Sequence, residues 1–213
     1  LVTGKKYGTT KIEVTTNKLP NTVLVEVEVL RKDDITMPKT VSGQDFTVAL
    51  KSDGTVWTWG YNGYGQLGLG DKSNRYKPTQ INITDVVDRA AGNNHVLLLT
   101  KDGKVYSYGT NSYGQLGRDG NSLLPEEIPN LENIEKVAAS NYHSMALGKD
   151  GSVYTWGYNG NGQLGNGTTT NIYLPRKVLS LDNIVDVAVE NGTIVAVNKQ
   201  GEVYASGYNG YGN

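Results

Sequence analysis

The sequence predicts an all-β chain: a partial β-propeller of about 3.5 four-stranded blades, preceded by an N-terminal β-hairpin. Three observations predict it. A block of residues recurs at a spacing near 49. Each block holds an Asp-Gly or Gln-Gly pair between two apolar-rich runs, and Gly there supplies the positive φ of a tight hairpin turn. The run after each turn alternates at period 2, as a strand with two different faces must.

The elements follow in chain order. Residues 1–36 stand outside the repeat. Lys11-Ile12-Glu13-Val14-Thr15 and Val23-Leu24-Val25-Glu26-Val27-Glu28-Val29 alternate at period 2, and Asn17-Lys18-Leu19-Pro20-Asn21 supplies a turn between them. This is an antiparallel hairpin with Glu26 and Glu28 on its polar face. Tyr7-Gly8-Thr9-Thr10-Lys11-Ile12-Glu13-Val14 resembles the closing strands of bacterial immunoglobulin-like domains of cell-surface proteins. An unclassified strand pair packed on the propeller is the alternative. Arg31 to Lys39, with two acids and Pro38, is the expected linker.

Residues 37–213 carry the repeats. The hairpins are residues 52–60, 101–109, 149–157 and 199–207, closed by Gly60, Gly109, Gly157 and Gly207 at intervals of 49, 48 and 50. In the first, Val56 and Thr58 fall on one face and Trp57 and Trp59 on the other. Before each hairpin lies another matched run: Phe46 to Leu50, His95 to Leu99, His143 to Leu147 and Thr193 to Val197. Upstream again come small residues, Val41-Ser42-Gly43, Ala90-Ala91-Gly92 and Ala138-Ala139-Ser140. Such side chains suit the crowded axis where propeller sheets converge. After each hairpin comes a Gly/Asn loop, as in Tyr61-Asn62-Gly63-Tyr64-Gly65-Gln66-Leu67-Gly68.

Three joined motifs carry a family resemblance. They are Gly92 with His95, Asp102-Gly103-Lys104-Val105-Tyr106, and Asn62 with Gly65-Gln66-Leu67-Gly68. Over residues 40–213 the chain resembles the regulator of chromosome condensation repeat family. The resemblance implies a ring of about seven blades. Half a ring leaves raw sheet edges, a pairing liability. The expectation is a cut from a longer array, favoured because the fourth loop motif stops at Asn213, or two chains completing one ring.

Composition excludes several functions. Lys+Arg is 20 against Asp+Glu 21, which gives no basic footprint for nucleic acid or for an anionic membrane surface. There is no cysteine and there are two histidines, so Cys-based metal or nucleophile chemistry and a His-rich metal site are out. The longest aliphatic run, Val96 to Leu99, cannot span a bilayer. Gly63 to Gly68 and Gly160 to Gly165 match G-x-G-x-x-G, but turn-rich residues follow where a dinucleotide site needs a helix. His95 and His143 share one repeat position, filled elsewhere by Phe46 and Thr193. A residue that recurs with the repeat is structural, so each is expected as a buried imidazole bonded to backbone groups within or between blades. Asp53, Asp102 and Asp150 recur in turns. No catalytic residue, cofactor or metal is assigned.

Surface recognition remains. The loops present Tyr61, Tyr64, Tyr113, Tyr158, Tyr208 and Tyr211, and tyrosine gives large, rigid contacts at low entropic cost. The segments 71–77, 118–124 and 166–173 vary most between repeats, which adds Arg75, Tyr76, Arg118 and Tyr173 as contact candidates. Equally open is that the tyrosines stack between loops within the propeller. The expected function is a non-enzymatic protein–protein interaction scaffold within a larger bacterial surface or secreted protein, its partner a protein. Carbohydrate binding is one alternative, served by the Tyr/Asn-rich loops. Guanine-nucleotide exchange on a small GTPase, implied by one branch of the family, is another, though no repeat holds a wedge-like insertion. Ultraviolet sensing, as in a plant relative, lacks its Gly-Trp-Arg-His-Thr motif here, and Trp57, Trp59 and Trp156 sit at hairpin positions. The fourth repeat departs from pattern at Val189, Glu190, Thr193 and Ser206.

Overall fold

The computed structural model describes residues 8–16, 19–29, 36–190 and 192–210. Contacts divide the chain into two compact units, residues 1–36 and 37–213. In the first, β1 (Gly8–Thr16) pairs antiparallel with β2 (Leu19–Val29), with Ile12 opposite Val25 and Thr10 opposite Val27. Of the expected turn, Leu19, Pro20 and Asn21 belong instead to β2, where Leu19 pairs with Thr16; Asn17 and Lys18, residue Tyr7 and linker residues 31–35 lie outside the described residues.

Among the described residues, the regular elements of the second unit are all strands. The first sheet runs β3 (Lys39–Ser42), β4 (Phe46–Leu50), β5 (Val56–Gly60) and β6 (Arg75–Gln80). The second runs β7 (Val86–Ala91), β8 (His95–Thr100), β9 (Val105–Gly109) and β10 (Ser122–Glu127). The third runs β11 (Ile134–Ser140), β12 (His143–Gly148), β13 (Val153–Gly157) and β14 (Ile172–Lys177). The fourth holds β15 (Ile184–Glu190), β16 (Thr193–Asn198) and β17 (Val203–Gly207). Each is an antiparallel meander in chain order. The sequence expectation of about three and a half blades is therefore met by three full sheets and three strands of a fourth.

The closing glycine shows why the repeat is so regular. Gly60, Gly109, Gly157 and Gly207 all have φ between 100° and 129°. A Cβ on Gly109 would sit 2.2 Å from the Asn94 carbonyl oxygen, and one on Gly157 would sit 2.6 Å from that of Tyr142. Only glycine lets the strand leave the sheet this close to the neighbouring backbone. On the outermost strands, Pro78, Pro125 and Pro175 remove donors at the sheet edge and so blunt it.

The core lies between sheets. Val48, Leu50 and Val56 of the first sheet pack on Val96, Leu98 and Tyr108 of the second. Leu97, Leu99 and Val105 of the second pack on Val137, Ala146 and Trp156 of the third. Met145, Leu147 and Val153 of the third pack on Val187, Ile194 and Ala196 of the fourth. Each such aliphatic side chain contributes about 1.5–3 kcal/mol. By the same columns Val195, Val197 and Val203 form the next apolar face. Among the described residues no sheet covers it, and Val203 is 68 % exposed.

The innermost strands carry charges in strict alternation. Lys39, Asp88, Lys136 and Asp186 occupy one repeat position. Lys39 Nζ meets Asp88 Oδ1 at 3.0 Å, and Lys136 pairs with Asp186. Hydrogen bonding and charge from Lys136 hold the Asp186 carboxyl below its ordinary pKa. Each half-exposed pair contributes at most about 1 kcal/mol, but each ties one sheet to the next.

Candidate functional site

The loops that follow β5, β9 and β13 are built on one plan. The Asn of each loop points inward. Asn62 Oδ1 accepts from the Leu67 N–H at 2.9 Å, and its Nδ2 donates to the Asp71 carbonyl at 2.9 Å. Asn111 does the same with Leu116 and Arg118, and Asn159 with Leu164 and Thr168. The Gln side chain closes the loop tip. Gln66, Gln115 and Gln163 each accept, through Oε1, the N–H two residues before them. Leu67, Leu116 and Leu164 are fully buried plugs. The Asn and Gln side chains of this plan thus face inward, while Tyr61, Tyr64 and Tyr113 remain exposed.

These tyrosines fall into three groups. Tyr61 and Tyr64 are exposed and meet edge-to-face, with ring centroids 6.0 Å apart. Tyr61 curls over Gly63, where a Cβ would lie 2.1 Å from its hydroxyl oxygen; Tyr158 does the same over Gly160. Tyr113 touches Tyr142 and Tyr158 at 5.1 and 5.2 Å. Tyr76 on β6 is 92 % exposed, and Tyr173 on β14 is exposed with its backbone pressed against Gly114 of the second loop. Some of the tyrosines stack on each other, as the second sequence alternative expects, and the same loops leave others open to solvent. Tyr208 is exposed, and Tyr211 lies outside the described residues.

The two arginines are placed differently from the tyrosines. Arg75 Nη2 donates to Asp71 Oδ2 at 2.6 Å and Nη1 to the Ser73 carbonyl, and its guanidinium holds the Asp71 carboxyl below the usual range. Arg118 is 8 % exposed, with Nη2 on the Ser107 carbonyl and Nη1 3.2 Å from Glu126. It stands in the column of Leu69, which packs on the core, so its stem is led inward. Arg118 ties its loop to β9 and β10 and leaves little of its side chain exposed.

The histidines correct one expectation. Their partners are not backbone groups. His95 Nε2 lies 2.9 Å from Ser144 Oγ in the next sheet. Ser144 gives its one proton to the Gln115 carbonyl at 2.8 Å, so His95 Nε2 is the donor and Nδ1 is a bare lone pair. His143, fully buried, has no partner on either nitrogen among the described residues. Two substitutions in the repeat explain this. The column of Ser144 holds Ile194 in the fourth sheet, which offers no hydroxyl. The column of Gly92 holds Ser140, and a Cβ at Gly92 would lie 2.1 Å from His95 Cε1. His143 therefore cannot take the seat His95 occupies. Burial, and for His95 the nearby His143, pushes the imidazole pKa values down to about 3 for His95 and about 4 for His143. Both are neutral at pH 7.

Tyr142 and the alternating charges were not singled out from the sequence. Tyr142 was findable, because it fills the column of Asn94, whose Oδ1 accepts from Gln66 Nε2 at 3.2 Å. With a tyrosine there, Gln115 Nε2 is buried without a partner.

A repeat of four-stranded meanders stacked face to face, with stapled loops after each third strand, defines a β-propeller of the RCC1 type. The chain belongs to the RCC1-like domain family, whose model matches residues 4–213 and so takes in the N-terminal hairpin as well. Among solved structures it is similar to yeast RCC1 (Prp20), from the structure bound to Kap60. The identity is 26 % and the TM-score 0.72, over 87 % of this chain and 46 % of that one. It is also similar in fold to human WBSCR16, at 21 % identity and TM-score 0.73, over 87 % of this chain and 50 % of that one. The Arabidopsis thaliana ultraviolet-B receptor UVR8 is 34 % identical over 61 residues, 29 % of this chain and 14 % of the receptor. The chain spans about half the length of the solved propellers it matches.

Proposed function

We propose that this chain is a non-enzymatic scaffold that binds a protein partner through its loop face, as part of a larger bacterial surface or secreted protein. One observation carries the reading. The Asn, Gln and Leu side chains of each loop are bonded or packed inward, so a fixed frame holds out Tyr64 and Tyr113, while the sheet edges present Tyr76 on β6 and Tyr173 on β14. Rigid aromatic anchors on a pre-ordered frame bind with little ordering cost. Yeast RCC1, to which this chain is similar, has been solved bound to a protein, Kap60.

A double variant, Tyr64→Ala with Tyr113→Ala, tests the face. Capture of a protein partner in a pull-down is expected to fall roughly 30-fold if both rings are anchors, with the unfolding midpoint nearly unchanged. Undiminished capture would count against the reading. Accelerated nucleotide release from a small GTPase, or selective binding on a glycan array, would replace it with one of the two alternatives.

The open Val195–Val203 face supports a second proposal, that another sheet covers it, from a longer polypeptide or from a second copy. The 213-residue chain is then expected to self-associate in light-scattering measurements. Val195→Lys with Val203→Lys should return it to monomer. A wild-type chain that stays monomeric as its concentration rises argues the other way.

A further inference from the structure

A cavity of about 270 Å³ opens among the loops of the second and third repeats and the β15–β16 turn, lined by Tyr113, Tyr142, Tyr158, His143, Gln163 and Gly192. The rest of its lining among the described residues is two asparagines, so none of those residues brings a charge to it. The cavity exists because of the repeat column of Asn94. In the second sheet Asn94 fills the space and bonds Gln66. In the third, Tyr142 fills it and stacks on Tyr113. In the fourth the residue is Gly192, and the space stays open; a Cβ there would meet nothing within 4 Å. At the cavity wall sits His143, fully buried, with neither ring nitrogen bonded.

We propose that this cavity receives a tyrosine side chain of the partner protein, an inference that rests on the protein-binding reading above. Three features select that guest. The volume lies just below the roughly 300 Å³ at which drug-sized pockets begin, so it suits a single ring. The wall is uncharged and aromatic, which disfavours a charged guest. Its rings are mutually tilted, Tyr113 to Tyr142 at 49° and Tyr113 to Tyr158 at 70°. A sugar needs one flat face to lie on, whereas tilted rings offer the edge-to-face contacts that another aromatic ring prefers. The neutral His143 ring has one N–H and one lone pair without partners among the described residues; both are closed to solvent in the free chain, so the guest's phenol hydroxyl meets one of them by displacing the cavity lining.

The test uses N-acetyltyrosinamide and N-acetylphenylalaninamide as probes, titrated into the isotope-labelled 213-residue chain and followed by NMR. Saturable shifts are expected at Tyr142, His143 and Gly192. The tyrosine probe should bind roughly three- to tenfold more tightly than the phenylalanine probe, the worth of one hydrogen bond. Gly192→Asn puts a polar side chain beside the cavity; the φ of +84° there is left-handed backbone, which asparagine adopts at less cost than most side chains. It should abolish binding of both probes while the chain stays folded by circular dichroism. His143→Leu should keep binding and lose the preference for the hydroxyl. Absence of shifts, equal affinity for both probes, or binding of a methyl glycoside instead overturns the proposal. Gly192→Asn leaves Tyr64 and Tyr113 in place. If that variant captures partner as well as wild type while the wild-type cavity ignores the probes, the cavity inference fails and the loop-face reading stands.

Discussion

Lowering the pH from 7 to 5 is expected to remove about 4 kcal/mol of stability from the folded chain. The cause is the pair His95 and His143. Both are fully buried, and burial holds their pKa values near 3 and 4 in the fold, against about 6.5 in an unfolded chain. Between these values the unfolded chain binds a proton at each imidazole and the folded chain does not. Stability therefore rises with pH across this window and is lost as pH falls from about 6.5 toward 4. Each histidine contributes about 2 kcal/mol over the two pH units. The carboxylates that the fold depresses, Asp53, Asp71, Asp102, Asp150, Asp186 and Glu202, act in the same direction but only near and below their ordinary pKa. The window from pH 5 to 7 thus reports on the histidines. Urea midpoints at several pH values measure the slope. His95→Phe should halve it, because Phe46 fills the same column beside Gly43 as His95 does beside Gly92. A slope unchanged in that variant would show that other groups set the acid sensitivity.

The fold was legible in the sequence because its determinants recur. The closing glycines and the hairpin turns each appear four times, and the small-residue columns three, so chance matches are excluded by spacing alone. The loop tyrosines were legible for the same reason. Arg118 was not, because a charge is read as exposed by default. Its inward turn depends on the Ser107 carbonyl, which lies on β9, 11 residues earlier in the chain. The column of Leu69 was the available signal, and it becomes one only when the loops are aligned residue by residue. The partners of the histidines were hidden more deeply. Whether an imidazole is satisfied depends on the column of Ser144 one sheet further on, and there the fourth repeat substitutes Ile194. The sequence marked Thr193 and Ser206 as departures. What a departure does is decided by the side chains of the preceding sheet that face it.

Ser206 makes this concrete and leads to the second large effect. Ser206→Trp is expected to stabilise the chain by about 2 kcal/mol. One repeat earlier the column holds Trp156, fully buried, with Nε1 donating to the Gln115 carbonyl at 2.9 Å. Ser206 Oγ donates to the equivalent carbonyl, that of Gln163, at 2.8 Å. Where the indole would lie there is instead a cavity of about 270 Å³, lined by Gly165, Val178, Leu181, Ile194, Ala196 and Ser206. Gly165, Val178, Leu181 and Ala196 stand in the columns of Gly117, Ile128, Leu131 and Ala146, which surround or border Trp156. The seat is already shaped and its acceptor already placed. Full burial of an aromatic side chain would bring about 4–6 kcal/mol by area. Two effects lower that figure. The indole must give up rotamer freedom. Its outer side is also left bare, because Ile172 and Pro175 of β14 flank Trp156 while β17 has no outer neighbour among the described residues. A rise in melting temperature of roughly 4–8 °C should result. The reverse exchange, Trp156→Ser, should open the matching cavity between the second and third sheets and cost about 3–5 kcal/mol. If Ser206→Trp destabilises while Trp156→Ser is tolerated, the columns of the third and fourth sheets are not equivalent, and the packing argument built on them fails.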